Sequence, residues 1–187
     1  AVAAPAASPL VGQAAELGLA TVALVPRPAW HPLSLLRLAR WLRAHPGALV
    51  HAHTSPALTL AAALRRLAPV GAVVHPRRVA FPLRRGRKYR TAADRYVAIS
   101  GAVAGALLAA GLEEARLGVI PSAVDLEAVD AAAPTAELAR EPGRPTVGCV
   151  AALAPEKGHA TLRAAWAEVS RSLAGARLVL LGDGPER

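Results

Sequence analysis

A lysine and several glycines stand in two loops near the end of the 187-residue chain. Lys157 and Gly158 close a loop that follows an apolar run at 146–150, and the loop at 182–186 follows a second run at 178–181. A parallel strand–helix–strand unit would place both loops at the carboxyl ends of its strands, where such sheets bind ligands. The helix between the runs is predicted from apolar residues at helical spacing, namely Leu162, Ala165, Trp166, Val169 and Leu173.

Two histidines form a second group that could do chemistry. His51 and His53 flank Ala52, so on a strand their side chains share one face and could bind a metal ion. Zinc sites take further ligands, and no third ligand follows at a suitable interval. We therefore expect no metal site, and the alternative is a strand-end histidine that is satisfied by hydrogen bonds.

Apolar runs typical of β-strands alternate with helical patterns along most of the chain. Helices are predicted at 32–45, at 57–67, and from Ser100, which can cap a helix that ends near Gly111. The alternation predicts an α/β fold with a parallel sheet. The predicted strands are 20–25, 48–52, 70–74, 96–99, 117–120, 146–150 and 178–181.

The stretch at 127–145 loses the strand pattern and gains proline, glycine and charge. Domain boundaries fall in segments of this composition. The sequence therefore predicts a first domain at 1–143 and the beginning of a second at 144–187.

The composition indicates a protein of a reducing compartment. Cys149 is the only cysteine, so no intrachain disulfide can form. The first ten residues lack the basic segment of a secretory signal, and the apolar stretch at 97–112 is too short and glycine-rich to span a membrane. We expect a cytoplasmic protein.

A basic run lies in the middle of the chain. Such runs are usually solvated faces, but this one could contact anionic lipid headgroups or a phosphorylated partner. Nucleic acid is disfavoured as a partner, because only Phe81 and Tyr89 are available there to stack on bases. A non-catalytic module that docks on anionic membranes is therefore an alternative function. The run consists of Arg84, Arg85, Arg87, Lys88 and Arg90.

Five sequence blocks, in this order and spacing, resemble glycosyltransferase family 4 with the GT-B fold: LVHAHTSPA, VVHPRRVAFPLRRGRKYRTAADRYVAISGAV, LGVIPSAVDL, VGCVAALAPEKG and RLVLLGDGPER. The resemblance implies two Rossmann-like domains: 1–143 would be an acceptor domain without its first strand and glycine-rich loop, and 144–187 would begin a nucleotide-sugar domain, truncated after one βαβ unit. The family's E-x7-E element would lie beyond Arg187, so we expect the fragment itself to be inactive.

The activity implied by the resemblance is that of a hexosyltransferase. The parent protein would transfer a sugar from a nucleotide-sugar to a hydroxyl of a sugar, lipid-linked or small-molecule acceptor, with retention of configuration. No cofactor and no obligatory metal are implied. The protein would be cytoplasmic and possibly peripheral at the inner membrane face.

The resemblance also assigns donor-binding residues. Lys157 and Gly158 would face the donor diphosphate, where a lysine supplies a point charge. Ser122 stands in the family's Asn-Gly-Val-Asp block, where Asp125 is expected to be a helix cap and Ala123 must fit the turn. The glycines Gly182 and Gly184, with Asp183, would lie near the nucleotide, although tight turns also need glycine for steric reasons alone.

On the acceptor side, the resemblance places His53 near the cleft between the domains. His75, Arg77 and Arg78 are predicted to follow the strand at 70–74 directly. His75 would be the catalytic residue that orients an acceptor hydroxyl, and the arginines could bind an anionic acceptor. The chain departs from the family pattern at several positions, which leaves a degenerate glycosyltransferase as a further alternative; they are Ala80, Ala123, Ala151 and Ala152.

Overall fold

The computed structural model describes residues 1–26, 31–79, 91–133, 141 and 143–187. It divides into two compact units, Ala1–Val124 and Asp125–Arg187. The domains at 1–143 and 144–187 stay a prediction.

The first unit is an α/β structure with two parallel sheets. Its strands are β1 (Val2–Pro5), β2 (Thr21–Leu24), β3 (Leu49–His51), β4 (Ala72–Arg77), β5 (Arg95–Ala98) and β6 (Leu117–Val119). Its described α-helices are α1 (Pro9–Glu16), α2 (Pro32–Ala44), α3 (Ser55–Leu64) and α4 (Gly101–Ala109). β1 pairs with β2, and the second sheet has the order β3-β4-β5-β6. The parallel α/β fold predicted from the sequence is confirmed.

Helix α4 shows how local sequence sets the limits of an element. The Ser100 side chain accepts a hydrogen bond from the backbone N–H of Val103 at 3.3 Å, which satisfies one of the free donors at the helix start. After the helix, Gly111 adopts a φ of 83°, which glycine reaches without steric cost. Both termini agree with the prediction.

The sequence pattern does not predict β1 or α1. The β1 sequence, VAAP, contains one β-branched residue and a proline, so its local strand preference is weak. It becomes a strand by pairing in register with β2, from Val2 opposite Thr21 to Pro5 opposite Leu24. Tertiary pairing therefore decides this element.

The prediction that His75 and Arg77 follow a strand is wrong, because β4 extends to Arg77. The cause lies in the placement of Pro76. The backbone N–H of Ala52 donates to the carbonyl of Val74 at 2.8 Å, so the backbone polar groups of Val74 point towards β3. The backbone nitrogen of Pro76, two positions further along β4, points to the same side. Because β3 ends at His51, the missing N–H of Pro76 removes no ladder hydrogen bond.

The larger core cluster of the first unit lies between its larger sheet and helices α3 and α4, and a second cluster lies between α2 and α3. Tyr96 and Val73 come from the strands, while Leu58 and Leu107 come from the helices, and all four are at most 1% exposed. Burying each such side chain contributes roughly 1.5–3 kcal/mol. Small residues fill the remaining space and let the helices approach the sheet closely; they are Ala52, Ala61, Ala92, Ala93, Ala98 and Ala104.

A polar cluster around Asp94 lies at the edge of the larger sheet where β4 and β5 begin. The Asp94 carboxylate accepts hydrogen bonds from Arg65 at the end of α3 and from the backbone N–H of Val73, the latter at 2.7 Å. The hydrogen bond from Arg65 is the main reason that the pKa of Asp94 is lowered. Arg116 donates to the carbonyls of Ala93 and Asp94. The cluster therefore joins α3, β4 and the start of β5.

We expect Asp94→Asn to destabilise the protein at neutral pH by about 1 kcal/mol, because a partly exposed ion pair and its hydrogen bonds are weakened. The lowered pKa means that this contribution is present above the unfolded carboxyl pKa of about 3.9 and is lost as the pH falls through the folded value. Thermal unfolding of wild type and variant should therefore differ at neutral pH and converge in acid. Glu16→Gln, at an exposed carboxylate, is the control; a pH-independent difference would contradict the assignment.

The second unit contains the predicted strand–helix–strand. β7 (Thr146–Val150) pairs in parallel with β8 (Arg177–Leu181), and α6 (His159–Ser172) connects them after a short 3-10 turn at Pro155–Lys157. Helix α5 (Leu126–Ala131) precedes them. Among the described residues of this unit, His159 is the one that is buried.

Candidate functional site

The loops after β7 and β8 lie side by side. The backbone N–H of Ala151 donates to the carbonyl of Leu181 at 3.1 Å, and that of Leu153 donates to the carbonyl of Asp183 at 3.0 Å. Glu186 returns a hydrogen bond to the carbonyl of Leu153 at 3.0 Å. The prediction that both loops lie at the carboxyl edge of one parallel sheet is confirmed.

The two glycines of the second loop are needed for this contact. A Cβ atom at Gly182 would overlap the carbonyl oxygen of Ala151, and one at Gly184 would overlap that of Leu153. Neither glycine has a positive φ, so close approach, not an unusual backbone conformation, requires them. This supports the steric alternative for Gly182 and Gly184, while the predicted nucleotide contact of the loop stays a prediction.

Lys157 stands exposed at the beginning of helix α6. It ends the 3-10 turn, and Gly158 follows with a φ of 71° as the N-cap of the helix. An L-residue at Gly158 would be strained in this left-handed conformation. The turn thus holds a positive side chain beside the positive end of a 14-residue helix dipole, an arrangement that favours anions.

His159 links this helix to the loop after β7, a role that is not predicted from the sequence. Its side chain is 6% exposed, and Nε2 lies 2.9 Å from the carbonyl oxygen of Ala152, to which it donates. The other ring nitrogen, Nδ1, is buried and has no hydrogen-bond partner among the described residues. The position of a histidine directly after Lys157 and Gly158 was the available signal, but its burial depends on the tertiary structure.

A cavity of about 430 Å³ lies beside this histidine. It is formed by α6, β8 and the two loops, and both positive and negative side chains line it. The lining residues are Leu153, His159, Ala160, Arg163, Leu180, Glu186 and Arg187.

In the first unit, His51 and His53 lie where β3 leaves the sheet. Their ring centroids are 4.2 Å apart, which confirms that the two side chains share one face. Partial desolvation is the main cause of a lowered pKa at His53, and the positive charges of His51 and Arg78 lower that pKa further. The structure therefore brings His53 and Arg78, two of the predicted acceptor residues, into one electrostatic neighbourhood.

His75 lies beneath this group. It is 3% exposed, and its Nδ1 donates to the carbonyl of Ala52 over 2.6 Å, while its ring meets Tyr96 edge-on. Arg77 is also buried, at 8% exposure, whereas Arg78 is exposed. The burial places His75 where it supports the backbone between the two surface histidines, and its predicted catalytic role stays a prediction.

The segment between β6 and α5 contains Ser122 and Asp125. Asp125 caps α5, because its carboxylate accepts from the backbone N–H of Ala128 at 3.0 Å, and this confirms the predicted cap. Ala123 fits its turn, since no described residue other than glycine has a positive φ. Ser122 is exposed, and its predicted donor contact stays a prediction.

The remaining predictions concern the basic run, a metal site and a membrane span. The basic run from Arg84 to Arg90, together with Ala80, lies outside the described residues. Within the described part of the chain, no three His, Cys, Asp or Glu side chains are grouped so that they could hold a metal ion. No helix there is both long and apolar enough to cross a membrane.

Comparisons with known proteins identify relatives of the chain. The sequence profile described as Glycosyltransferase Family 4 matches residues 1–128. A search of curated proteins found no match. Two solved structures of Anabaena Alr3699/HepE are similar to the chain at 17% sequence identity. The match to the complex with UDP has a TM-score of 0.69 and covers 92% of this chain and 50% of the solved chain. The match to the complex with UDP and glucose has a TM-score of 0.73 and covers 98% of this chain and 53% of the solved chain.

The structural likeness shows the Rossmann-like α/β arrangement of the GT-B type, and the chain spans about half the length of the solved structures that it matches. The profile match covers more than half of the chain and includes the first unit from end to end. The chain belongs to glycosyltransferase family 4.

Proposed function

We propose that the protein containing this chain is a retaining glycosyltransferase that moves a hexose from a nucleotide-sugar to a hydroxyl acceptor, without an obligatory metal. Membership of glycosyltransferase family 4 supports the reaction class. The structural neighbour is described as a complex with UDP and glucose, so a UDP-hexose is the first donor to test.

The observation that carries the proposal is the placement of Lys157. As the bond between the sugar carbon and the donor phosphate breaks, negative charge grows on the leaving diphosphate. Lys157 and the free N–H groups of α6 offer positive potential for that charge. The acceptor oxygen bonds to the sugar carbon on the face that the diphosphate leaves, and its proton moves to a donor phosphate oxygen.

The loop after β7 has fewer charges than the family pattern. Ala151 and Ala152 stand where the resemblance expects a glycine and an arginine, so this chain offers one cation fewer to the diphosphate. The backbone of that loop is nevertheless held on both sides, by the loop after β8 and by His159. We infer that Lys157 carries a larger share of diphosphate binding here than a lysine that is paired with an arginine.

The acceptor is proposed to bind at the carboxyl edge of the first unit. His53 and Arg78 are exposed there, and His75 supports them through the carbonyl of Ala52. Because the solved structures are about twice as long as this chain, the proposed activity belongs to a longer protein. We expect residues 1–187 alone to be inactive.

The first test uses the full-length protein. Lys157→Ala should weaken binding of a UDP-hexose about 10- to 100-fold, since a hydrogen bond to a charged group contributes about 1.5–3 kcal/mol. Calorimetric titration with UDP-glucose and related donors measures the effect. Arg171→Ala removes an exposed charge from the last turn of the same helix and serves as the matched control. Equal affinities of the two variants would contradict the role of Lys157, and failure of wild type with every nucleotide-sugar would favour a degenerate enzyme.

The second test concerns His159. His159→Ala removes the donor to the Ala152 carbonyl, so we expect several-fold weaker donor binding at temperatures where the variant remains folded. His159→Gln retains an amide N–H at a similar reach and should recover most of the affinity. Donor affinity is measured beside thermal unfolding. If Gln and Ala variants bind equally weakly, or if the Ala variant binds like wild type, His159 does not position the loop.

A further inference from the structure

Three nitrogen-containing side chains lie at or just beyond the ends of β3 and β4, two neighbouring parallel strands. His51 is the last residue of β3, His53 follows two positions later, and Arg78 is the first residue after β4. The strands stay paired to this point, since the backbone N–H of Ala52 donates to Val74 at 2.8 Å. We call His51, His53 and Arg78 the cationic cluster.

The members of the cationic cluster are exposed, which separates them from histidines that serve the core. The two imidazoles contact each other, with ring centroids 4.2 Å apart and planes inclined at 47°. By contrast, His75 is buried below them with its Nδ1 committed to the carbonyl of Ala52. The exposed rings are thus available to a ligand, whereas the buried ring fixes the backbone that carries them.

Helix α3 adds positive potential at the same place. It begins at Ser55, two residues after His53, and Thr54 caps it by accepting from the backbone N–H of Ala57 at 3.2 Å. Its first turn carries no acidic side chain. The positive end of the helix dipole therefore adds to the charge of Arg78.

The charges around His53 are of one sign. The groups that lower its pKa electrostatically are His51, from the end of β3, and Arg78, after β4. The neighbouring β4 side chains His75 and Arg77 are also basic. Desolvation and these like charges together disfavour protonation of His53, no carboxylate among the named groups offsets them, and a bound anion would oppose the effect of the charges.

We propose that the cationic cluster is an oxyanion subsite and that the acceptor carries a phosphate or carboxylate group. Arg78 offers a planar fork that matches either oxyanion, and a protonated imidazole adds an N–H donor. The identification of the ligand as the acceptor rests on the proposed function, whereas the binding of the anion does not.

Binding of the anion must then be coupled to protonation. An oxyanion stabilises the charged form of His53, so it raises the pKa of that imidazole from its lowered value. By linkage, affinity for an anion of constant charge increases as the pH falls through the pKa of His53 in the bound state, and it levels off below the lowered pKa of the free protein. A neutral ligand at the same residues would show the opposite dependence or none.

The experiment uses the full-length protein with saturating UDP, which occupies the proposed diphosphate site. Imidazole proton resonances are followed by NMR during pH titrations with and without inorganic phosphate, and His53→Gln assigns the signal of His53. We expect phosphate to raise the pKa of His53, which the titration of its ring protons measures directly. An unchanged pKa overturns the subsite.

Sugar probes then separate the two oxyanions. Glucose 6-phosphate and glucuronate should each bind at least about ten-fold tighter than glucose, which corresponds to about 1.4 kcal/mol, and the tighter of the two identifies the group. Arg78→Gln should remove this preference, while Arg40→Gln, at an exposed arginine of α2, should retain it. Glucose that binds as tightly as both charged sugars contradicts the proposal.

The two proposals fail separately. If UDP-hexoses bind but neither phosphate nor the charged sugars show a preference, the oxyanion subsite is wrong and the proposed donor chemistry stands. If phosphate shifts the pKa of His53 while no nucleotide-sugar binds, the subsite stands and the proposed reaction is wrong.

Discussion

Parallel strand pairing is the constraint on which the rest of this structure depends. Every pair of described strands is parallel, so within each sheet all strands end at the same edge. Short sequence segments that are far apart in the chain then meet as neighbouring loops. In the first unit this brings the histidines at the end of β3 into the electrostatic neighbourhood of Arg78, which follows β4. In the second unit it brings the loop after β7 against the loop after β8.

The same kind of hydrogen bond, from a histidine side chain to a backbone carbonyl, stabilises these loops in both units. In each, a buried histidine donates to the carbonyl of an alanine just beyond a strand end: His75 to Ala52 at 2.6 Å, and His159 to Ala152 at 2.9 Å. A loop backbone without such a donor would leave carbonyl groups poorly satisfied near the sheet. Rigid loop backbones are a requirement of ligand sites, because chemistry tolerates little displacement of the contacting groups.

Small residues make this arrangement possible and also limit how it can vary. Gly182 and Gly184 admit neighbouring carbonyls where a Cβ would overlap them, and Gly158 holds the left-handed turn beside Lys157. Alanine has a similar role in the core, where it permits close helix–sheet contact. Two further alanines, Ala151 and Ala152, contribute no side-chain charge to the loop after β7.

The sequence by itself determined most of the element types and most of their limits, because apolar periodicity and helix caps are local signals. It placed Lys157, the paired histidines and the Asp125 cap correctly for that reason. Only the tertiary structure decided that β1 forms, that β4 continues past Pro76, that His75 and His159 are buried, and that Asp94 joins three elements. Each of these depends on a partner distant in the chain, for which the local pattern carries no signal.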